Sequence, residues 1–539
     1  MRNVKKNLRQ ALRYSSLAVI LFLGVWLLLP PRDERAETGP SRVKGDVGKP
    51  VEIKFTIKFS PGMQYMPGTI PLGIGDPIHG LQEVIDEFEQ RFPDTRIQTM
   101  AVPVSLREYL VTQLSSGQAP DIVNVNVEDV WVDIQKGWYV PLDPFLEAPN
   151  RFIRERGDSS APGYHQWWDM FKYQAISRGK AAPDNLNYCL SIDMVETGIY
   201  YNKKIFDEVG ATVPETWEEF IDILRKVKEA GYTPLLMNLW SLNDWTVDLF
   251  FDQLYYSILP GIDLAKDPVR EQYLQGYLDW DELTFLFGKG FFTRRDPRYL
   301  ELWRLMRELR PHLNQNLSGV PGAGTDLMRE FVTQTAAMTW SASNLVHRLE
   351  ADKDLGFEYG VFYLPRFTKQ TSGFASGEPM CVIGGVATQL EVTNTAFSDT
   401  GDPKTSERLA RAIDFLQFLC LPENCERIVN EYACFLPNII GVPVLPPLEP
   451  FAKILERRYT TTKWMFTFDL KFTEIQQRML GLYLNGGIDL DEFMEWQEKN
   501  LQVSCANILF RKNPDMDRLQ KAWDELAPIR KGMEDLPVE

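Results

Sequence analysis

From Val51 to Phe59 the chain reads VEIKFTIKF, apolar and polar side chains in strict turn, which is the period of a strand with one buried face. The period then lengthens. LQEVIDEFEQRF sets Leu81, Val84, Ile85, Phe88 and Phe92 along one side of a helix, and TRIQTMAV returns as a strand. The helix LREYLVTQL, the strand DIVNVNV and the helix VEDVWVDIQKGW follow. Strands alternating with helices of this length read as crossover units, which lay strands parallel and put helices on both faces of the sheet. The chain therefore opens as an α/β structure.

A second unit follows in TGIYYNKKIFDEVGATVPETWEEFIDIL, Thr197 to Leu224. GIYYN is rich in strand formers, KKIFDEV is a two-turn helix, and Gly210 stops it. Thr216 then stands as the N-cap of a new helix, with Glu219 completing a capping box. Trp217, Phe220, Ile221, Leu224 and Val227 line one face of that helix, and Gly231 closes it. Tyr200 and Tyr201 are read as strand packing residues ahead of ligand contacts.

The N-terminus bears on location. MRNVKKNLRQALRYSS carries Arg2, Lys5, Lys6, Arg9 and Arg13 without an acid, and the apolar run Leu17 to Pro31 follows. Basic before apolar is the export pattern, with the basic end left in the cytoplasm. PPRDERAETGP offers prolines and charges where a cleavage site needs small residues, so residues 1–35 are expected to be either a signal peptide or an uncleaved membrane anchor. The lipid-anchored route needs a Cys directly after the apolar run, and the first is Cys189. Residues 36–50 have no apolar period and read as a linker. Export makes the six cysteines candidates for disulfides, without fixing any pairing. No C-x-x-C occurs, and His79, His165, His312 and His347 are scattered singly, so no metal site is expected and each histidine is read as structural.

With 539 residues the chain exceeds what one hydrophobic core usually holds, so two lobes are expected. The formal net charge of −16 argues against a nucleic-acid partner, which needs a basic surface. GIGDPIHG, Gly73 to Gly80, imitates a phosphate loop but lacks the third glycine of the dinucleotide pattern. Neither G-x-S-x-G nor H-E-x-x-H is present.

GIYYNKKIFDEVG followed by VPETWEEF resembles the signature region of the family 1 extracellular solute-binding proteins, the sugar-binding components of ABC importers, with Ser191 departing from the small Gly, Ala or Pro usual at its start. QAPDIVNVN resembles the family's Pro-Asp-Ile strand, FVTQTAAMTW its Ala-Ala-Met strand, and AIDFLQFLCLPENCERIVNEYACFLPN its paired late helices with the Leu-Pro after them. The four stand in the family's order from Gln118 to Asn438.

The resemblance implies a two-lobed periplasmic-binding-protein-like clamp, each lobe a mostly parallel sheet flanked by helices, with extra C-terminal helices. Lobe one would take residues 51–190 and 381–432, lobe two 191–372 and 440–500, and a helical extension 501–539. The polar stretch at about 150–185 looks like an insertion. Matched positions put Asn126 and Glu128 in the first-lobe ligand loop, Glu196 at the first crossing, and Trp240, Trp245, Trp340 and Asn344 in the second lobe, with Asn243 and Asp244 marking a polar loop around Trp245. Asp121 is read as structural. The implied activity is capture of a monosaccharide or oligosaccharide for ABC permease subunits, by a monomer without catalytic residues or cofactor, on the outer side of the bacterial cytoplasmic membrane. A carbohydrate sensor built on the same clamp, or a glycoside-active enzyme with carboxylates far apart in sequence, stays open as an alternative.

Overall fold

The computed structural model describes residues 52–102, 107–125, 130, 133–172, 186–264, 278, 280–317, 324–381, 385–457, 470–512 and 514–531. Expectations for residues 1–50, Asn126 and Glu128 lie outside them. Among the described residues no helix is long and apolar enough to cross a membrane.

The strands in chain order are β1 Phe55–Ser60, β2 Thr95–Thr99, β3 Ile122–Asn124, β4 Cys189–Leu190, β5 Asp193–Met194 and β6 Thr197–Asn202. They continue as β7 Thr233–Leu236, β8 Ala336–Ala342, β9 Tyr359–Phe362, β10 Leu390–Val392 and β11 Leu436–Pro437. Two separate sheets result. One runs β2-β1-β3-β10-β4 and the other β7-β8-β6-β9, with β5 and β11 paired between them.

The expectation of mostly parallel sheets holds only for the crossover part. β1 pairs in parallel with β2 and β3, and β7 with β8, whereas β10 is antiparallel to β3 and β4, and β6 antiparallel to β8 and β9. Direction of entry explains the mixture. β6 and β10 follow directly on passages from the other lobe, so they run outward from the hinge, against strands that run toward it.

Each sheet has its own core. The first gathers Ile57, Phe59, Val84, Phe88 and Trp167 with Phe415, Leu416 and Ile428, so the late helices Glu407–Leu419 and Pro422–Val429 complete a lobe begun some three hundred residues earlier. The second gathers Tyr200, Trp217, Phe250, Trp303 and Met338 with Phe493 and Leu526. Helix Leu490–Lys512 runs unbroken through residue 500, and Leu501, Cys505 and Ile508 belong to that second core. The insertion-like stretch is anchored inward. Asn150 caps helix Arg151–Arg156, and Phe152, Ile153, Trp167, Trp168 and Phe171 are buried in the first core.

Helix Trp217–Glu229 carries the expected capping box, with Thr216 accepting from Glu219 N while the Glu219 carboxylate accepts from Thr216 N. Its expected apolar face is buried. None of the six cysteines is in a disulfide, and five are buried.

The passages between lobes can be followed residue by residue. Ile192 lies in the first core and Met194 in the second; Val386 lies in the second and Leu390 in the first; Val442 lies in the first and Leu448 in the second. Leu436 pairs with Met194, and Val195 bridges Gly385, so the crossings are stitched to each other. Asp193 is the buried knot of this hinge. Its carboxylate accepts from Tyr65 Oη at 2.6 Å, from Thr388 N and Oγ1 at 2.7 Å each, and from Ser191 Oγ at 3.2 Å. Burial pushes this carboxyl up, and those four donors oppose the shift.

Candidate functional site

Trp245 stands not on a loop but in a π-helical turn, Leu242–Thr246, set between Leu239–Ser241 and the helix Val247–Tyr255. Such turns widen the helix by a residue and recur at functional sites. This one brings three predicted residues together. The Trp245 ring centroid lies 6.3 Å from that of Trp240, edge to face, and 6.2 Å from that of Trp340. Trp240 and Trp245 are half-buried, whereas Trp340, on β8, is buried.

The row continues beyond the predicted residues. The Tyr363 ring packs edge to face on Trp340 at 5.9 Å, and the Arg457 guanidinium lies 5.4 Å from the centre of the Tyr363 ring. Arg457 donates from Nη1 to Leu364 O at 3.2 Å and accepts at its carbonyl from Cys381 Sγ at 3.6 Å. Burial lowers its guanidinium, while Tyr363, Cys381 and Glu196 favour the charge. Burial pushes the Cys381 thiol well up, and the Glu196 carboxylate adds to that. Glu196, fully buried, therefore shares an electrostatic neighbourhood with Arg457 at the first crossing.

Backbone register sets Glu196 beside Asn344. Thr197 pairs with Ala342, and Ser343 N donates to the Glu196 carbonyl at 2.7 Å. The Glu196 carboxylate accepts from Thr197 N, also at 2.7 Å. Ser343 Oγ in turn donates to Cys434 O, tying β8 to the chain's last crossing. Asn344 is half-buried at the head of helix Leu345–Ala351, and its side chain makes no capping bond there.

Around Trp245 the polar inventory is incomplete. Asn243 Oδ1, Thr246 Oγ1 and Trp340 Nε1 are buried and have no hydrogen-bond partner among the described residues. Buried polar atoms are mostly paired, but among the described residues Trp167 Nε1 and Trp303 Nε1 are unpaired in the cores as well, so these three bear on the site only through their place beside the aromatic row. Aromatic faces suit the C–H patches of a ring, and amide, hydroxyl, carboxylate and guanidinium groups suit hydroxyls at its rim.

Two sequence readings are resolved by geometry elsewhere. Asp121 accepts from Lys58 N at 2.7 Å and from Arg408 at 2.8 Å, fully buried, in a structural role. GIGDPIHG offers no free cradle for a phosphate, because its His79 N and Gly80 N already donate to the Glu431 carboxylate. Tyr363, Arg457 and the π-turn had no signal in the sequence reading. Only the density of aromatic residues around Trp240 and Trp245 pointed toward them.

A family model described as Bacterial extracellular solute-binding protein matches residues 75–424. The chain belongs to that family. Among its solute-binding relatives, the Multiple sugar-binding protein of Streptococcus mutans serotype c is 23% identical over 285 residues, covering 53% of this chain and 59% of that one. The Probable sugar-binding periplasmic protein of Rhizobium meliloti is 30% identical over 210 residues, 39% of this chain and 41% of that one. The matches thus span about half the length of these curated solute-binding relatives. Among solved structures, a Chitin oligosaccharide binding protein superimposes with a TM-score of 0.57 at 16% identity, over 84% of this chain and 99% of that one. That likeness extends the family's two-lobed fold to most of the chain.

Proposed function

We propose that this solute-binding protein captures a carbohydrate between its lobes outside the cytoplasmic membrane and hands it to ABC permease subunits. The observation that carries the reading is the row Trp240, Trp245, Trp340, Tyr363 and Arg457, which ends beside Glu196 at the hinge and holds three unpaired buried polar atoms. Sugar-binding names among the relatives support the ligand class. On this reading Trp245 and Trp240 stack against a ring, while Glu196 and Asn344, with Asn126 and Glu128 from the first lobe, take its hydroxyls. The lobes are assigned as 51–192 with about 390–442 and 194–386 with 448–526, which moves the expected bounds 381–432 and 440–500 to where the two cores change over, and the protein acts as a monomer. The basic and apolar N-terminal segment holds the protein at the membrane.

A thermal-shift screen against raffinose, melibiose, galactose and chitooligosaccharides tests the ligand class. A sugar at 100 times its dissociation constant adds roughly 2.7 kcal/mol to stability. No shift with any sugar, and a shift with an amino acid or polyamine, would sink the carbohydrate reading. N-terminal sequencing of the mature protein tests the anchor, and a start beyond residue 30 makes it a secreted protein.

A further inference from the structure

Between β1 and helix Gly80–Arg91 the first lobe sends out a long loop, residues 61–79, and its tip meets the second lobe. His347, on helix Leu345–Ala351, donates from Nε2 to the Ile74 carbonyl at 2.9 Å. Leu345, Val346 and Leu349 root that helix in the second core, whereas Tyr65 and Ile78 root the loop in the first. The bond therefore joins lobe to lobe directly, outside the covalent crossings.

The loop is built to deliver that carbonyl. Its base is fixed by Tyr65 Oη donating to Asp193 and by Tyr432 Oη donating to Gln64 O at 2.6 Å. Its neck is closed by Gly68 N donating to Ile78 O at 2.8 Å and Ile78 N donating to Thr69 O at 2.9 Å. At the tip, Gly75 has φ +96°, so only glycine brings the backbone in without strain, and a Cβ there would already touch the imidazole at 3.4 Å. On its other side the His347 ring packs edge to face on Tyr432 at 5.2 Å. The imidazole is thus held from both sides by lobe-one groups.

The geometry points to a clasp: residues 61–79 and His347 hold the lobes together in the absence of ligand, so that His347 sets the closed-to-open ratio of the clamp. In a hinged binding protein, ligand affinity scales with the fraction of molecules already competent to bind. A side chain that need not touch ligand then governs affinity through closure.

The test needs no ligand and so stands apart from the carbohydrate reading. Full-length protein in detergent, with Cys189→Ser as background, receives nitroxide labels at Lys404→Cys on lobe one and Glu229→Cys on lobe two, both exposed positions. Pulsed electron resonance then reads the distribution of lobe separations. His347→Phe keeps an aromatic ring against Tyr432 but removes the donor, and should lower the closed-to-open ratio by about three- to tenfold, the range one net hydrogen bond supports. His347→Gln, which restores a donor, should return most of the closed population. If His347→Phe leaves the distance distribution of the parent unchanged while melting normally, or if Gln behaves as Phe does, the clasp is refuted.

Discussion

The indoles of Trp245 and Trp340 lie 6.2 Å apart and are tilted by 41°, one half-buried and one buried, so the outer ring rests on an inner one. An aromatic surface supported from behind is rigid, which suits it to receive a sugar face. Trp245→Ala should weaken sugar binding by roughly 1.5–3 kcal/mol, the worth of one large apolar contact. Trp245→Phe should recover part of it. Calorimetric titration with the sugar found in the screen, beside melting curves without sugar, decides. A variant that melts several degrees lower yet binds normally would make Trp245 a core residue and move the platform to Trp240.

Thr216→Ala removes the cap of helix Trp217–Glu229 and should cost about 0.5–2 kcal/mol of stability. Affinity should stay put, because the box's hydrogen bonds run among Thr216, Glu219 and Glu215, with Trp217 N donating to Arg366 O, and none of them involves the aromatic row. Denaturant melts and titrations on the same preparation check it, and a tenfold loss of affinity at unchanged stability contradicts this placement.

Tyr65→Phe leaves the Asp193 carboxylate short of one donor while sparing the ring. A hydrogen bond to a charged group contributes about 1.5–3 kcal/mol, so the chemical-denaturation midpoint should fall accordingly. Amide exchange should also quicken in residues 61–79, whose base this bond secures. An unchanged exchange pattern there would show that the loop is held without the hinge.

Asp296 gives a pH signature. Burial raises its carboxyl to about 6 from 3.8, while the hydrogen bond from the Tyr255 hydroxyl and that from Arg298 N oppose the shift. A raised folded value means that the native state holds this proton more tightly than the unfolded chain. Its contribution is therefore fully present below about pH 4 and is lost as pH rises through about 6, by on the order of 3 kcal/mol. Asp296→Asn should then gain on the parent protein steadily between pH 4 and pH 7. Parallel melting curves across that window measure the difference, and a constant gap would reject the assignment.

Local patterns carried the sequence reading as far as they physically could. The Thr216 box, the apolar face of helix Trp217–Glu229 and the strands β1 and β2 are set by neighbours a few residues away, so periodicity and capping chemistry revealed them. Strand direction was another matter. Whether β10 runs with or against β3 depends on which lobe the chain arrives from, and no window around Leu390 contains that information. The same holds in the site. Trp240, Trp245 and Trp340 were within reach of sequence, but Arg457 joins them only because Tyr363, nearly a hundred residues earlier in the chain, lies between it and Trp340. His347 was read as an ordinary structural histidine, since its partner is a backbone carbonyl at Ile74 that leaves no mark on residue type.

The pairing of β3 with β10, Ile122 opposite Val392, has a consequence for how the protein is made. When a ribosome has finished residues 52–190, the sheet of the first lobe lacks a strand, and the late helices Glu407–Leu419 and Pro422–Val429 that complete its core do not yet exist. The whole intervening lobe must be synthesised before Leu390 emerges. At a few to twenty residues per second, that leaves the early segment unfinished for many seconds, and its native contacts are of the long-range kind that form slowly. A chain so ordered cannot complete its first lobe until the last third of the sequence is being made, so that lobe is finished only after most of the second one has been synthesised.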